Sequence, residues 1–229
     1  MNRLLAAGAS LILIAVTAPG QGAELRVIVK DQHGKLVSDA VILATPLDPK
    51  AAQRVRPLGD AIDQVDKQFV PYVKTVFVGS KVLFPNSDHV RHQVYSFSRA
   101  KKFELPLYGG TNAPPVVFDK PGVVVLGCNI HDWMVGYIYV SETPFFAKTE
   151  VAGTATIEDM PPGDYSVRVW HPSLERTEES TARRITVAAD SSGTAASGAA
   201  APTNAVWSVG LKPVFRVPRA VGGASPGYP

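Results

Sequence analysis

Short runs of alternating apolar and polar residues cover most of the chain after residue 24, and they predict strands rather than helices. HQVYSFS at 92–98 shows the period of two that a half-buried strand requires, and LRVIV at 25–29 alternates weakly. Further strand-like runs lie at 36–46, 69–73, 75–86, 103–108, 114–118, 122–128, 134–141, 183–187 and 206–213. Segment 154–172 contains two predicted strands joined by a Pro-Pro-Gly-Asp turn. Gly, Pro, Asn and Asp separate them, and no amphipathic helix pattern of any length appears. The pattern predicts an all-β fold built from sandwiches.

The two ends of the chain have a different character. MNR gives a short positive start, an apolar stretch at 4–16 is short for a bilayer span, and small residues suited to cleavage follow. This order is typical of a secretory signal peptide, so we assign one to 1–23 and expect the mature protein in the periplasm. An uncleaved membrane anchor is the alternative. The end, 214–229, is rich in Pro and Gly and is expected to form a flexible tail.

The composition suits a globular protein and draws attention to one residue, Cys128. The 229-residue chain is 45% hydrophobic and 19% charged, which suits a packed globular protein. Its net charge of +3 comes without a dense Lys/Arg run, which argues against nucleic-acid binding. Cys128 is the single cysteine, so it has no partner for an internal disulfide. In an exported protein such a cysteine is expected to be either a buried small apolar residue or a metal ligand.

The residues around Cys128 favour the metal. Segment 127–136, GCNIHDWMVG, places Cys128, His131 and Met134 three positions apart, between a predicted strand that ends at Cys128 and one that begins at Met134. Thiolate, imidazole and thioether groups all suit copper, and one Cys, two His and a weak axial Met form a blue-copper site. The alternative is an ordinary turn with three buried side chains and no metal.

A second histidine must then come from a neighbouring strand. The segment at 79–98, GSKVLFPNSDHVRHQVYSFS, contains His89 and His92. His92 begins an alternating strand, so its ring is held by strand geometry, and we predict it as the ligand. His89 lies in the preceding loop and is the alternative ligand; otherwise we expect it at the surface or at the rim of the site.

The two segments together resemble the cupredoxins. KTVFVGSKVLFPNSDHVRHQVYSF followed by GCNIHDWMVGYIYV is similar to the amicyanin type and, more distantly, to the plastocyanin type. HQV replaces the HNV of that pattern and Ile130 replaces a Pro, whereas the C-x-x-H-x-x-M spacing and Gly136 are kept. The whole chain also resembles exported bacterial proteins that carry the label methylamine utilisation protein.

The resemblance implies a Greek-key β-sandwich that binds one type 1 copper ion and carries single electrons, rather than an enzyme. It implies a redox partner, either a c-type cytochrome or a dehydrogenase, that docks near His131. It also implies that the backbone N–H of Gln93 contacts the cysteine sulfur and that Asn86 holds the ligand loops together. The implied copper ligands are His92, Cys128, His131 and Met134.

Other residues around the motif have two interpretations. Ile130 and Trp133 flank His131 and form either an apolar docking rim or ordinary packing at the end of the sandwich. Four basic residues either steer an acidic partner or are scattered solvated charges. These are Arg91, Arg99, Lys101 and Lys102.

The Met and His content of the chain argues against other copper functions. Copper storage or delivery favours open Met/His-rich sites, and the chain has three Met and no such cluster. A copper oxidase or nitrite-reducing enzyme needs further histidines, and His33, His89 and His171 show no clustered pattern. We expect His171 to be a capped strand end. A metal-free interaction module remains an alternative.

The segments on either side of the motif have a similar pattern of strands and turns. DQHGKLVSDAVI near the start and GTATIEDMPPGDYSVRVWHP near the end resemble two halves of a transthyretin-like sandwich of the carboxypeptidase regulatory type. We therefore expect 24–57 and 143–213 to form one discontinuous domain, into which a cupredoxin domain at 58–142 is inserted. The rival is that 25–46 belongs to the cupredoxin sheet and that only 143–213 is a second domain.

Overall fold

The computed structural model of the chain describes residues 23–51, 59–111, 113–188 and 203–213. Within these ranges the regular structure is strand, apart from two short 3-10 turns at Pro49–Ala51 and Glu178–Thr181, so the all-β prediction is confirmed. The expected signal peptide, except for its last residue, and the expected tail lie outside the described residues. None of the described helical segments has the length and apolar character needed to cross a bilayer.

The described strands have 3 to 11 residues each. In chain order they are β1 Ala23–Asp31, β2 Val41–Pro46, β3 Gly59–Ala61, β4 Asp63–Val65, β5 Gln68–Val70, β6 Val73–Phe77, β7 Ser80–Leu83, β8 His92–Phe97, β9 Lys102–Tyr108, β10 Val116–Phe118, β11 Gly122–Cys128, β12 His131–Ser141, β13 Phe146–Lys148, β14 Thr154–Met160, β15 Gly163–Trp170, β16 Arg183–Val187 and β17 Thr203–Val209. The single strand predicted at 75–86 is wrong, because Gly79 adopts a φ of 89° between β6 and β7 and turns the chain there.

The two ends of the described chain share one core. Strands β14-β1-β17 form one sheet and strands β13-β2-β15-β16 form another. Alternate residues of β1 and β15, such as Leu25, Val27 and Val167, are at most 1% exposed and pack with Trp207 between these sheets. Both β1 and β2 pair with strands that come after residue 143, and not with the sheet that carries Cys128. The transthyretin-like type of this sandwich, and the domain boundaries, remain predictions.

The middle of the chain forms a second sandwich. Its sheets are β6-β12-β11-β8-β9 and β10-β7-β3, and a core that includes Phe84, Phe118 and Ile138 lies between them. Strand β11 pairs with β12 on one side and with β8 on the other, where Gly127 lies opposite Tyr95. The three segments with predicted ligands are therefore neighbouring strands of one sheet.

A third apolar cluster joins the two sandwiches. Val41 and Leu43 of β2 pack against Val73 and Tyr139 of the five-stranded sheet. The ring of Trp170 lies 5.4 Å from that of Tyr139, centroid to centroid. The Tyr139 hydroxyl donates to the Glu178 carboxylate, with oxygen–oxygen distances of 2.7 and 2.8 Å. Burial and this carboxylate raise the pKa of Tyr139 above its ordinary value, so the hydroxyl keeps its proton.

The Tyr139–Glu178 hydrogen bond predicts a measurable contribution to stability. Replacing Tyr139 with phenylalanine should lower the free energy of unfolding by about 1.5–3 kcal/mol, because a hydrogen bond to a charged group is lost at a buried contact. Urea denaturation measures the change. The matched control is Tyr95→Phe, for which we expect a change within about 0.5 kcal/mol because no hydrogen bond of the Tyr95 hydroxyl is found among the described residues. Equal stabilities for the two variants contradict the prediction.

Candidate metal centre

Three donor atoms converge at one end of the five-stranded sheet. The Cys128 sulfur lies 3.7 Å from Nδ1 of His92 and 3.7 Å from Nδ1 of His131. The two imidazole rings are 4.9 Å apart, centroid to centroid. Within the part of the chain that the structure describes, these side chains form the one group of His, Cys, Asp or Glu close enough to hold a metal ion.

A tight hairpin places two of the donors on one side of the sheet. Cys128 ends β11 and pairs with His131, the first residue of β12, so only Asn129 and Ile130 form the turn. The pairing register shifts between Gly127 and Cys128, which is a β-bulge or a similar irregularity. Such irregularities re-aim side chains at the end of a ladder. The C-x-x-H spacing is thus the spacing of a two-residue turn.

The donor spacing fits a metal ion. Metal–nitrogen and metal–sulfur bonds of about 2.0 and 2.3 Å, at angles of 110–120°, put the donor atoms roughly 3.6–3.8 Å apart. The observed sulfur–nitrogen distances of 3.7 Å match this value. Cys128 is 2% exposed and His92 is fully buried. The donors are therefore already arranged for an ion, and Cys128 and His92 are shielded from water.

Met134 lies on the same inward face. It is 1% exposed and belongs to the same core cluster as Cys128, followed on that face of β12 by Gly136 and Ile138. Its role as a copper ligand remains a prediction.

The second ring nitrogen of His92 has a carboxylate partner that sequence reasoning missed. Nε2 of His92 lies 2.7 Å from Oδ2 of Asp88. An ionised carboxylate only accepts, so Nε2 donates the hydrogen, and the Nδ1 lone pair is left to face Cys128. The available signal was an aspartate four residues before a predicted ligand, because metal-binding histidines commonly pair with carboxylates.

Asp88 is itself held by backbone donors. Its carboxylate accepts the N–H of Asp66 at 2.6 Å and the N–H of Lys67 at 2.8 Å. Partial burial acts to raise the pKa of Asp88, but the bonds from Lys67, His92 and Asp66 outweigh it and leave the pKa below its ordinary value. Asp88 therefore stays ionised next to His92.

The neighbours of His92 differ in their roles. His89 is exposed and is not part of the donor group. Asn86 is buried and donates to the carbonyl oxygens of Val90 and Tyr108, each at 2.9 Å, so it ties the loop before β8 to β9. The contact implied from the Gln93 N–H to the cysteine sulfur is not found, since both hydrogen-bond contacts of that sulfur in the described residues are to imidazoles.

His131 is the donor nearest to the surface. Burial is the main cause that lowers its pKa below the ordinary value, which favours the neutral ring at pH 7. The ring of Trp133 lies 5.3 Å from that of His131, and Trp133 and Ile130 are 46% and 51% exposed. The structure thus has an exposed apolar surface beside this ring.

The remaining candidate residues lie elsewhere. Arg91, Arg99 and Lys102 are exposed, whereas Lys101 forms an ion pair with Asp119 at 3.0 Å. His171 is buried, and its Nδ1 accepts the N–H of Ser173 at 3.1 Å. This short-range bond at the end of β15 fits the expected capped strand end.

Three similar proteins of known structure each match less than half of the chain. A copper-containing nitrite reductase from Thermus scotoductus matches with 29% identity and a TM-score of 0.36, over 43% of this chain and 25% of the reductase chain. A purple cupredoxin from Nitrosopumilus maritimus matches with 26% identity and a TM-score of 0.32, over 36% of this chain and 99% of its own. An amicyanin variant matches with 19% identity and a TM-score of 0.33, over 39% of this chain and 96% of the amicyanin chain.

Other comparisons give no match. No protein-family model matches the sequence, and a search of curated proteins finds no significant relative. The matched structures include cupredoxins, and each of the three matches covers a part of the chain only.

Proposed function

We propose that the protein binds one copper ion through His92, Cys128, His131 and Met134 and carries single electrons between redox proteins in the periplasm. The observation that carries this proposal is the convergence of one sulfur and two imidazole nitrogens, with both sulfur–nitrogen distances at 3.7 Å. Cysteine, imidazole and thioether donors form the set that selects copper in electron-transfer sites.

The bound copper would supply the redox chemistry by alternating between its two oxidation states. The chain supplies a fixed donor set: Cys128 releases its proton and acts as a thiolate, and the two imidazoles present their Nδ1 lone pairs. Adjacent strands of one sheet carry these residues, so the donors keep their positions whichever charge the site holds.

Burial favours a carrier over a copper-delivery protein. Cys128 and His92 are at most 2% exposed, and Met134 is 1% exposed. An ion that is passed to other proteins needs an accessible, exchangeable site, whereas an electron crosses a few ångströms of packed side chain without exchange of the ion. The exposed edge at His131 is the part of the site suited to that transfer.

The partner is proposed to be a redox protein, a c-type cytochrome or a dehydrogenase, that docks on the apolar surface formed by Ile130 and Trp133. The exposed Arg91 lies one residue before His92, so a partner with acidic groups fits this end of the sandwich best. The proposed role is that of a carrier and not of a catalyst. Because one similar structure is a nitrite reductase, nitrite reduction by the copper-loaded protein is the activity to measure against this proposal.

Copper loading and voltammetry test the function. The mature protein titrated with Cu(II) should bind one equivalent and develop an intense visible band, and voltammetry should show a reversible one-electron wave without loss of copper. Copper that leaves on reduction indicates a delivery protein. No copper uptake indicates a metal-free module, and nitrite turnover indicates an enzyme. Each of these three results overturns the carrier proposal.

A further inference from the structure

We propose that the hairpin formed by β4 and β5, acting through Asp88, is the device that positions His92 for metal binding and sets the charge next to it. The effect of Asp88 on the reduction potential rests on the copper function proposed above. The effect of Asp88 on the tautomer of the His92 ring does not. Asp88 is a positioning residue in this proposal, because it contacts the ligand and not the metal.

The hairpin is bonded along its length to the loop that leads to His92. The Gln64 N–H donates to the carbonyl of Pro85, and the Ser87 N–H donates to the carbonyl of Gln64, each at 3.1 Å. The Ser87 hydroxyl donates to the carboxylate of Asp63 at 2.7 Å. These hydrogen bonds therefore fix residues 85–87 of the loop relative to β4.

The tip of the hairpin adds the contact that matters for the site. Asp66 and Lys67 form the two-residue turn, and both have positive φ values, 51° and 55°. Non-glycine residues adopt this conformation infrequently, and a two-residue turn with positive φ at both positions is the hairpin type that matches strand twist. In this turn both N–H groups donate to Asp88, whose carboxylate then accepts from His92.

The other strand of the hairpin reaches the second ligand-bearing segment. Phe69 of β5 packs directly on Gly136 of β12, where an added Cβ would lie 2.8 Å from the Phe69 Cβ. Gly136 is two residues after Met134 in the same strand. The hairpin thus contacts β12 on one side and the loop before β8 on the other, so it sets the distance between the segment that carries His92 and the segment that carries His131.

Two consequences follow for His92. The carboxylate selects the tautomer with hydrogen on Nε2, which leaves Nδ1 free to bind metal. It also places a negative charge beside the ligand, which stabilises the more highly charged oxidised copper and lowers the reduction potential. Removing a carboxylate partner of a metal-binding histidine typically weakens metal affinity by about 10–100-fold.

Nitrogen NMR of the copper-free protein tests the positioning step without any metal. At a pH where the ring is neutral, His92 in the wild-type protein should be a single tautomer with hydrogen on Nε2. In Asp88→Ala that preference should be lost, whereas Asp119→Ala, which removes a carboxylate from a surface ion pair, should leave it unchanged. A wild-type ring with hydrogen on Nδ1, or an unchanged tautomer in Asp88→Ala, overturns the proposal.

The reduction potential of the Asp88→Asn variant tests the effect of the carboxylate charge next to His92. Asp88→Asn keeps an oxygen that accepts from Nε2 but removes the charge, so the loaded variant should stay coloured, bind copper about 10–100-fold more weakly and show a more positive potential. Asp119→Asn should match the wild type. A coloured Asp88→Asn protein with wild-type potential overturns the charge effect. A wild-type protein that never becomes coloured contradicts the copper function instead, and the NMR result still decides the positioning of His92.

Discussion

Replacing Cys128 with serine is expected to abolish the intense visible absorption of the copper-loaded protein. That absorption requires a thiolate bound to Cu(II), and Cys128 is the single cysteine of the chain. The serine hydroxyl stays protonated at neutral pH, so it is a poor ligand for this site. Titration with Cu(II), followed by visible and electron paramagnetic resonance spectroscopy, measures the loss.

The same variant should remain folded, which makes the loss of colour interpretable. Serine is close to cysteine in size, and burying its hydroxyl at a site that is 2% exposed costs about 1–3 kcal/mol unless it finds a partner. The nearby Nδ1 atoms of His92 and His131 are such partners. Circular dichroism and urea denaturation of the copper-free variant provide the control. Strong colour that persists in folded Cys128→Ser protein contradicts the blue-copper assignment.

The donor group was within reach of sequence reasoning because its geometry is largely local. Cys128 and His131 are joined by a two-residue turn, and the strand-like patterns on both sides of it are visible in the sequence. The alternation that begins at His92 likewise predicted a strand whose first residue is buried. Where a site depends on spacing within one hairpin and on strand period, the sequence alone contains most of the information.

The position of Asp88, four residues before His92, was visible in the sequence, but the orientation of its carboxylate could not be predicted. Its orientation depends on N–H groups of Asp66 and Lys67, more than twenty residues earlier in the chain. Strand β4 has three residues, too few for alternation to be detected, and the run predicted at 69–73 overlaps β5 without indicating its pairing partner. The sequence between the predicted runs at 36–46 and 69–73 therefore carried no strand prediction, and the hairpin that begins there had no signature.

The contact between the sandwiches was hidden in a different way. The run at 134–141 was correctly predicted as a strand, and alternation explains why Met134 and Ile138 face one core. The same alternation predicts that Tyr137 and Tyr139 face the other side, but it does not say what covers them. Their partners, Leu43 and Trp170, come from segments that lie far away in sequence, so only the tertiary structure identifies that face as an interface.

Replacing His92 with alanine should remove copper binding at this site, whereas the matched variant His89→Ala should leave it intact. The two residues are three positions apart in the same segment, but His92 is fully buried with Nδ1 facing Cys128, and His89 is exposed outside the donor group. Loss of a ligand should exceed the roughly 10–100-fold cost of losing a partner of a ligand. Isothermal titration with Cu(II), together with the visible spectrum, measures both variants.

Added imidazole separates loss of a ligand from loss of the fold. His92→Ala leaves a buried space beside Cys128, His131 and Asp88, which an imidazole molecule can fill with one nitrogen on the metal and the other on the carboxylate. Imidazole should therefore restore colour to loaded His92→Ala and have no effect on His89→Ala. If His89→Ala is the variant that loses copper, or if His92→Ala keeps wild-type affinity without imidazole, then the ligand from the upstream segment is not His92, and the site must be assembled from a different set of donors.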